Sequence, residues 1–336
     1  MKLRGMKFDG DSGASAMALR MVDSMDSWSP SRDGLSVESA VLPSFESIGN
    51  ERPQCAFDGC TAGWAKIWRR RGRPVFEGGW GCTRACVRAL VDASVKREME
   101  GADGADVSED HQHRVPLGLV LLAQGLVTQT QLRRALEAQK AAGHGRIGEW
   151  LVEASGVAET KITRGLGMQW QCPVLGLSGF DGVRMALAMP SSLRTLCGAA
   201  PLRVAGGRIL YVAFDENVDA AAAFALERMS GLQVESGVMP RGEFSRAVAA
   251  LDDCVAVKCR ECDVADKNEM VERIVDVLQK LQPVASKMIR LRDRYWMRLW
   301  LEQGAFGKNG TLPATGEDVV DLVMRVRRGG KYRSQA

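Results

Sequence analysis

Four cysteines stand as two pairs, Cys55-x4-Cys60 and Cys82-x3-Cys86, with 21 residues between the pairs. A structural zinc takes four thiolate or imidazole ligands in a tetrahedron, and two close pairs are the usual way for a chain to supply them. Cys55 and Cys60 flank the turn Phe57-Asp58-Gly59. Cys82 and Cys86 lie four apart at the start of a helix expected to run through Val95, so they share one helical face. Residues 54–99 hold too little apolar material for an independent core, which makes a metal staple physically sensible. Four free thiols in a loosely folded segment are the alternative. His111, His113 and His144 lie away from every cysteine in the sequence, so no Cys–His nucleophile is expected. Cys254-x4-Cys259-x2-Cys262 lacks a fourth ligand, and Cys172 and Cys197 read as buried or partly buried free thiols.

The second constellation is a repeat. Residues 116–139, PLGLVLLAQGLVTQTQLRRALEAQ, align without gaps on residues 146–169, RIGEWLVEASGVAETKITRGLGMQ. Leu117 matches Ile147, Gly118 matches Gly148, and Leu121-Leu122 matches Leu151-Val152. Leu132 matches Ile162, Leu136 matches Leu166, and Gln139 matches Gln169. Each unit reads as helix, turn, helix, broken at Gly125 and Gly156, with Thr128 as N-cap of a second helix. Leu132, Leu136 and Gln139 then fall on one stripe. Such repeats are stacked supersecondary units that bury a shared core.

The doubled pattern resembles the N-terminal domain of type II secretion and type IV pilus assembly ATPases, the MshEN family, whose signature RLGxxLVxxG…L…L…Q occurs twice. Met189-Pro190, Pro201-Leu202, Leu210-Tyr211-Val212-Ala213, Asp215…Asp219 and Ser230-Gly231 fall where that family has LP, PL, LxVA, DPxD and TG elements. The resemblance covers residues 114–251. It implies a cyclic di-GMP site built from Leu117, Gly118, Leu121, Leu122, Gly125, Leu132, Leu136 and Gln139 of the first motif. From the second it takes Arg146, Ile147, Gly148, Leu151, Val152, Ile162, Leu166 and Gln169. An arginine can stack on guanine and pair with its O6 and N7, glycines admit the backbone to the ligand, and glutamine can bond a base edge or hold the helices. The first motif has Pro116 where arginine belongs, with Arg114 as its nearest stand-in, and Ser155 replaces a glycine of the second. The same leucines, glycines and glutamines also suit a plain helical core, which leaves a docking unit with no small ligand. The ATPases carry a P-loop after this domain; none occurs here, so no ATPase activity is expected. The knuckle, hairpin and ligand-bearing helix of the cysteine segment similarly resemble treble-clef or ribbon zinc fingers.

These sites need elements to hold them. Residues 201–205 and 208–214 read as strands around the hairpin turn Gly206-Gly207, residues 219–229 as a helix ended by Gly231, 232–239 as a third strand and 243–251 as a short helix. Met270, Ile274, Val277, Leu278 and Leu281 follow a helical period up to Pro283. Residues 286–302 read as a second helix, with Trp296, Met297, Trp300 and Leu301 on one face among Arg290, Arg292, Arg294 and Arg298, either packed on its neighbour or docking a partner. A last helix is expected over 317–327.

The chain has 336 residues, 46% of them hydrophobic and 26% charged, an ordinary balance for two or three globular domains. A net charge of +4 is too mild to imply nucleic acid, although the run 69–73, RRRGR, could touch phosphates. No apolar stretch reaches the ~18–20 residues of a membrane span, and no secretory signal is visible. The expectation is an α+β protein in the cytoplasm. Its parts are a disordered leader (1–53, with a short docking element at 36–48), a zinc module (54–99), an acidic linker (100–113), the repeat-bearing domain (114–251), a helical extension (265–327) and a basic tail (328–336). The function expected is non-catalytic: a regulator or adaptor that binds cyclic di-GMP and acts on secretion or pilus assembly proteins. The alternatives are a ligand-free docking scaffold and a nucleic-acid-binding zinc protein.

Overall fold

The computed structural model describes residues 54–63, 74–103, 114–306 and 312–327. The expected leader, the basic run, the acidic linker from 104 onward and the tail lie outside the described residues.

The repeat is a repeat in space. Helices α2 (Leu117–Ala123) and α3 (Gln129–Ala142) form the first unit, and α4 (Ile147–Glu153) and α5 (Glu159–Trp170) the second; they follow α1 (Arg84–Asp103). Their starts differ by the 30 residues of the sequence alignment. Gly125 (φ +64°) and Gly156 (φ +63°) make the two left-handed turns that few other residues accept. Thr128 caps α3 in a reciprocal capping box with Gln131. The units interlock, α2 packing on α5 and α3 on α4, around buried Leu121, Leu132, Leu151 and Ile162.

A small α/β layer follows: α6 (Gly182–Met185), α7 (Ser191–Cys197), β3 (Ala199–Ala205), β4 (Ile209–Phe214), α8 (Ala220–Ser230), β5 (Gln233–Val238) and α9 (Arg241–Asp252), numbered after the strands β1 (Val75–Phe76) and β2 (Gly79–Trp80). Strands β3 and β4 pair antiparallel through Gly206-Gly207, both at positive φ as a tight hairpin requires. Strand β5 lies parallel to β4. Asp219 caps α8, and Gly231 closes it at φ +72°.

The C-terminal third corrects the sequence expectation. Strand β6 (Lys258–Val264) and helix α10 (Lys267–Leu281) are followed by β7 (Ala285–Leu291), β8 (Arg294–Trp300) and β9 (Val319–Val326). The helices expected at 286–302 and 317–327 are therefore strands, and the region is a four-stranded sheet of order β6-β9-β8-β7 with one helix. The cause is burial on both faces. Tyr295, Met297 and Leu299 meet α1 and α10 on one side, while Trp296 and Trp300 enter the cores on the other. A strand apolar on both faces loses the period-two alternation that identifies it.

The cysteine segment is not free-standing. Val87, Val91 and Val95 of α1 join Ile274, Leu278, Met297 and Leu322 in one core. Arg84 reaches Glu272 (2.9 Å) and Asp276 (2.7 Å) of α10, and Lys267 reaches Asp92 (2.9 Å). The amide of Val75 donates to the Pro283 carbonyl (2.9 Å) and that of Glu77 to Ser286 (3.2 Å), so β1 lies along the β7 edge. The apolar material that residues 54–99 lack comes from residues 258–326. Helix α1 also runs to Asp103, into the segment expected as linker.

On the opposite face of β7, the Lys287 Nζ donates to the Arg228 carbonyl at the end of α8 (2.9 Å). Burial pushes its pKa down to about 8, with the Arg228 charge adding to the shift. The unfolded chain therefore binds this proton more tightly, so stability from this group rises with pH between about 8 and 10.5. The stability difference between Lys287→Met and the parent should shift by roughly 2 kcal/mol in favour of the parent between about pH 7.5 and 10. Urea unfolding at the two pH values measures it, and a constant difference would contradict the burial of the charge.

Candidate functional site

The Sγ atoms of Cys55, Cys60, Cys82 and Cys86 all lie within 4.8 Å of one another. Cys60 and Cys82 are 3.3 Å apart and Cys82 and Cys86 3.7 Å. Four thiolates at a Zn–S distance of about 2.3 Å would stand about 3.8 Å apart, so the set fits a tetrahedral ion. The local turns explain the convergence. Cys60 N–H donates back to the Phe57 carbonyl (3.1 Å), and Ala56 N–H reaches Trp80 O (2.9 Å), drawing the first knuckle onto the β2 end. Thr83 Oγ accepts from Cys86 N–H (3.2 Å), setting Cys86 on the first turn of α1; Cys82 precedes that helix and does not share the helical face expected from the sequence. The Cys82 amide donates to Cys55 Sγ (3.4 Å), the kind of backbone donor that steadies a thiolate. Cys259 and Cys262 lie on opposite faces of β6, since they are three positions apart on the strand.

The second site is a cavity of about 390 Å³ at the seam between the helical repeat and the α/β layer. Arg146, Ile147, Gly148 and Val152 of α4 and its cap line it, with Ile162, Leu166 and Gln169 of α5 and Leu117 of α2. The α/β layer adds Asp215, Glu216 and Asn217 from the β4–α8 turn, Met239, and Arg241 at the start of α9. Its size is that of a small-molecule site. The other expected site residues lie elsewhere. Leu121 and Leu151 are fully buried core, and Leu132 is buried. Gly118 lies where a Cβ would come 2.8 Å from Leu132, so it serves helix contact. Leu122 is packed at the edge of that core, Gly125 is in its turn, and Leu136 is 48% exposed on α3. Arg114 stacks on the Trp170 ring at 3.3 Å and is not among the residues lining the cavity.

The two glutamines hold helices. Gln139 Nε2 donates to the Gly145 carbonyl (2.8 Å), just before the second motif, and Gln169 Nε2 to the Val115 carbonyl (2.8 Å), just before the first. Each motif ends by clamping the start of the other. Ser155 Oγ adds a tie to the Gln131 carbonyl (2.8 Å).

Charge at the cavity is arranged in pairs. Arg146 is bonded to Glu216, and Arg241 to Glu149. Glu149 also accepts from the Arg146 amide (3.1 Å), and these two partners hold its carboxyl below its ordinary range. Asp215 differs: burial pushes its pKa up, and its Oδ1 is buried without a hydrogen-bond partner among the described residues. The sequence does not mark Glu149, Asp215, Glu216 or Arg241 as site residues. Asp215 was visible as part of the DPxD-like element; the other three carried no signal, because the fold alone brings them to the cavity.

Neither a family model nor a curated protein matches the sequence. Solved structures are similar over part of it. One is of MshE with cdg, at 27% identity and a TM-score of 0.33, covering 40% of this chain and 98% of that one. Another is the N-terminal domain of XpsE, at 18% identity and a TM-score of 0.29, covering 41% and 94%. Among the described residues no helix is long and apolar enough to cross a membrane.

Proposed function

We propose that the chain is a non-catalytic cytoplasmic regulator that binds cyclic di-GMP in the second-motif cavity and acts on a secretion or pilus assembly. The observation that carries this reading is the buried Asp215 Oδ1, without a hydrogen-bond partner among the described residues and lining the same cavity as Arg146. A guanine presents N1–H and N2–H donors on one edge and O6 and N7 acceptors on another; a carboxylate answers the first and a guanidinium the second. Leu117, Ile147, Val152, Ile162 and Leu166 would cover the base and ribose. The assembly as target rests on the MshEN resemblance of the doubled motif. The four-thiolate cluster takes zinc as a structural ion on this reading.

Isothermal titration of the full chain with cyclic di-GMP tests it. Saturable binding below about 10 μM is expected, weakened roughly 5- to 150-fold by Arg146→Ala. No heat and no shift in melting temperature at about 1 mM ligand would overturn the receptor reading. The docking-scaffold alternative draws on the first motif, where Leu119 and Leu136, with Val115 just before them, are exposed and no arginine caps the helix.

A further inference from the structure

The walls of the cavity carry five carboxylates, Glu149, Glu153, Glu159, Asp215 and Glu216, against two guanidiniums, Arg146 and Arg241. A dianionic ligand meets net repulsion there unless the guanidiniums are free to receive it. Both are already held by carboxylates. The two pairs are not equivalent. Glu149 belongs to the α4 cap, bonded to the Arg146 amide as well as to Arg241, so it is part of the scaffold. Glu216 stands on the turn between β4 and α8, and among the described residues Arg146 is its hydrogen-bonding partner. Its side chain is 21% exposed and that of Arg146 61%, so the pair sits at the mouth, where a carboxylate can leave for water at small cost.

We propose that Glu216 is a built-in competitor for the ligand: it occupies Arg146 in the free protein and must be displaced before a ligand phosphate or guanine can take that guanidinium. This rests on the receptor reading above. Binding is then an exchange of anions on Arg146, and Glu216 sets the concentration at which the site fills. The exchange also releases the β4–α8 turn. That turn ends at Asp219, which is bonded to Arg292 of the β7–β8 hairpin (2.6 Å), so the occupied and free states differ at a point tied to the C-terminal sheet.

The experiment is titration of the full chain with cyclic di-GMP in five forms: parent, Glu216→Gln, Glu153→Gln, Arg146→Ala, and Glu216→Gln combined with Arg146→Ala. Glutamine keeps the shape and removes the charge. Glu216→Gln should tighten binding roughly 5- to 20-fold, while Glu153→Gln, which removes a charge from the same cavity, should give about 2-fold. With Arg146 replaced, the gain from Glu216→Gln should fall to the level of Glu153→Gln, because nothing remains to be uncovered. Binding by Glu216→Gln where the parent is silent supports the proposal in its strongest form. Equal affinities for parent and Glu216→Gln overturn it, as does an equal gain from Glu153→Gln or a gain that survives loss of Arg146. If none of the forms that retain Arg146 binds at about 1 mM, the receptor reading itself has failed and the competitor with it.

Discussion

Asp321→Ala should lower the free energy of unfolding by about 3–5 kcal/mol, the cost of leaving a buried charge without its partner. Asp321 and Arg298 are opposite one another on β9 and β8, 0% and 1% exposed. They form a two-pronged pair at 2.8 and 2.7 Å. Trp296 Nε1 donates to the same carboxylate (3.0 Å), and the guanidinium also reaches the Ala188 carbonyl (3.3 Å) in the α/β layer. Removing the carboxylate strands a guanidinium and an indole N–H together. Replacing both ends by apolar residues, Arg298→Met with Asp321→Leu, should recover most of the loss, since a buried pair is seldom worth more than good packing. Urea unfolding measures both, and a loss below about 1 kcal/mol in Asp321→Ala would show that water reaches the pair. The pair also fixes register: slipping β9 by one residue would turn Asp321 to the α1–α10 face and bring Arg298 against a valine or leucine.

Metal removal should have the other large effect. The purified chain is expected to carry one zinc, and chelation or Cys86→Ser should lower the melting temperature by about 10 °C, several kcal/mol at roughly 2–4 °C per kcal/mol. The loss should not stay local. Cys82 stands just before α1 and Cys86 on its first turn, and Val87, Val91 and Val95 of that helix fill one side of the C-terminal sheet. Hydrogen exchange should therefore quicken in β7 and α10 as well as around the cysteines. A chain with no bound metal and a transition indifferent to chelator would leave the four thiols as a plain cluster.

What could be read from the sequence was what local chemistry dictates. The repeat, its turn glycines, the Thr128 cap, the Gly206-Gly207 hairpin and the Gly231 stop each act within a few residues, and all are in the structure. The cysteine convergence was legible for the same reason, because two turns suffice to make it. Residues 286–302 were misread because their environment is supplied from far away. Arg298 marks a solvent face by its type, yet it lies in the core because Asp321, 23 residues on, neutralises it. The β7–β8 turn hid itself too. Its first residue, Arg292, holds φ +56° where glycine or asparagine would advertise a hairpin. Its side chain repays that conformation by bonding Asp219 and the Leu196 carbonyl (2.9 Å). At the cavity, the second motif was visible while the acidic turn facing it was not, since no periodicity links Glu216 to Arg146 across 70 residues.

The interlock of α1 with the C-terminal sheet has a consequence for how the chain is made. A ribosome releases α1 some 220 residues before β9, the strand that sits between β6 and β8. The repeat can complete its own contacts meanwhile, since its core is contiguous in sequence, whereas the core of the α/β layer also waits for Ile289, Trp296 and Val323. Helix α1 waits as well: the valines of its inner face have no cover until α10 and the strands after it emerge. The four thiolates lie within a span of 32 residues and can close on an ion at once. The ion would then hold an otherwise sticky, half-finished amino-terminal piece in order through most of synthesis, and its value would be greatest in the nascent chain.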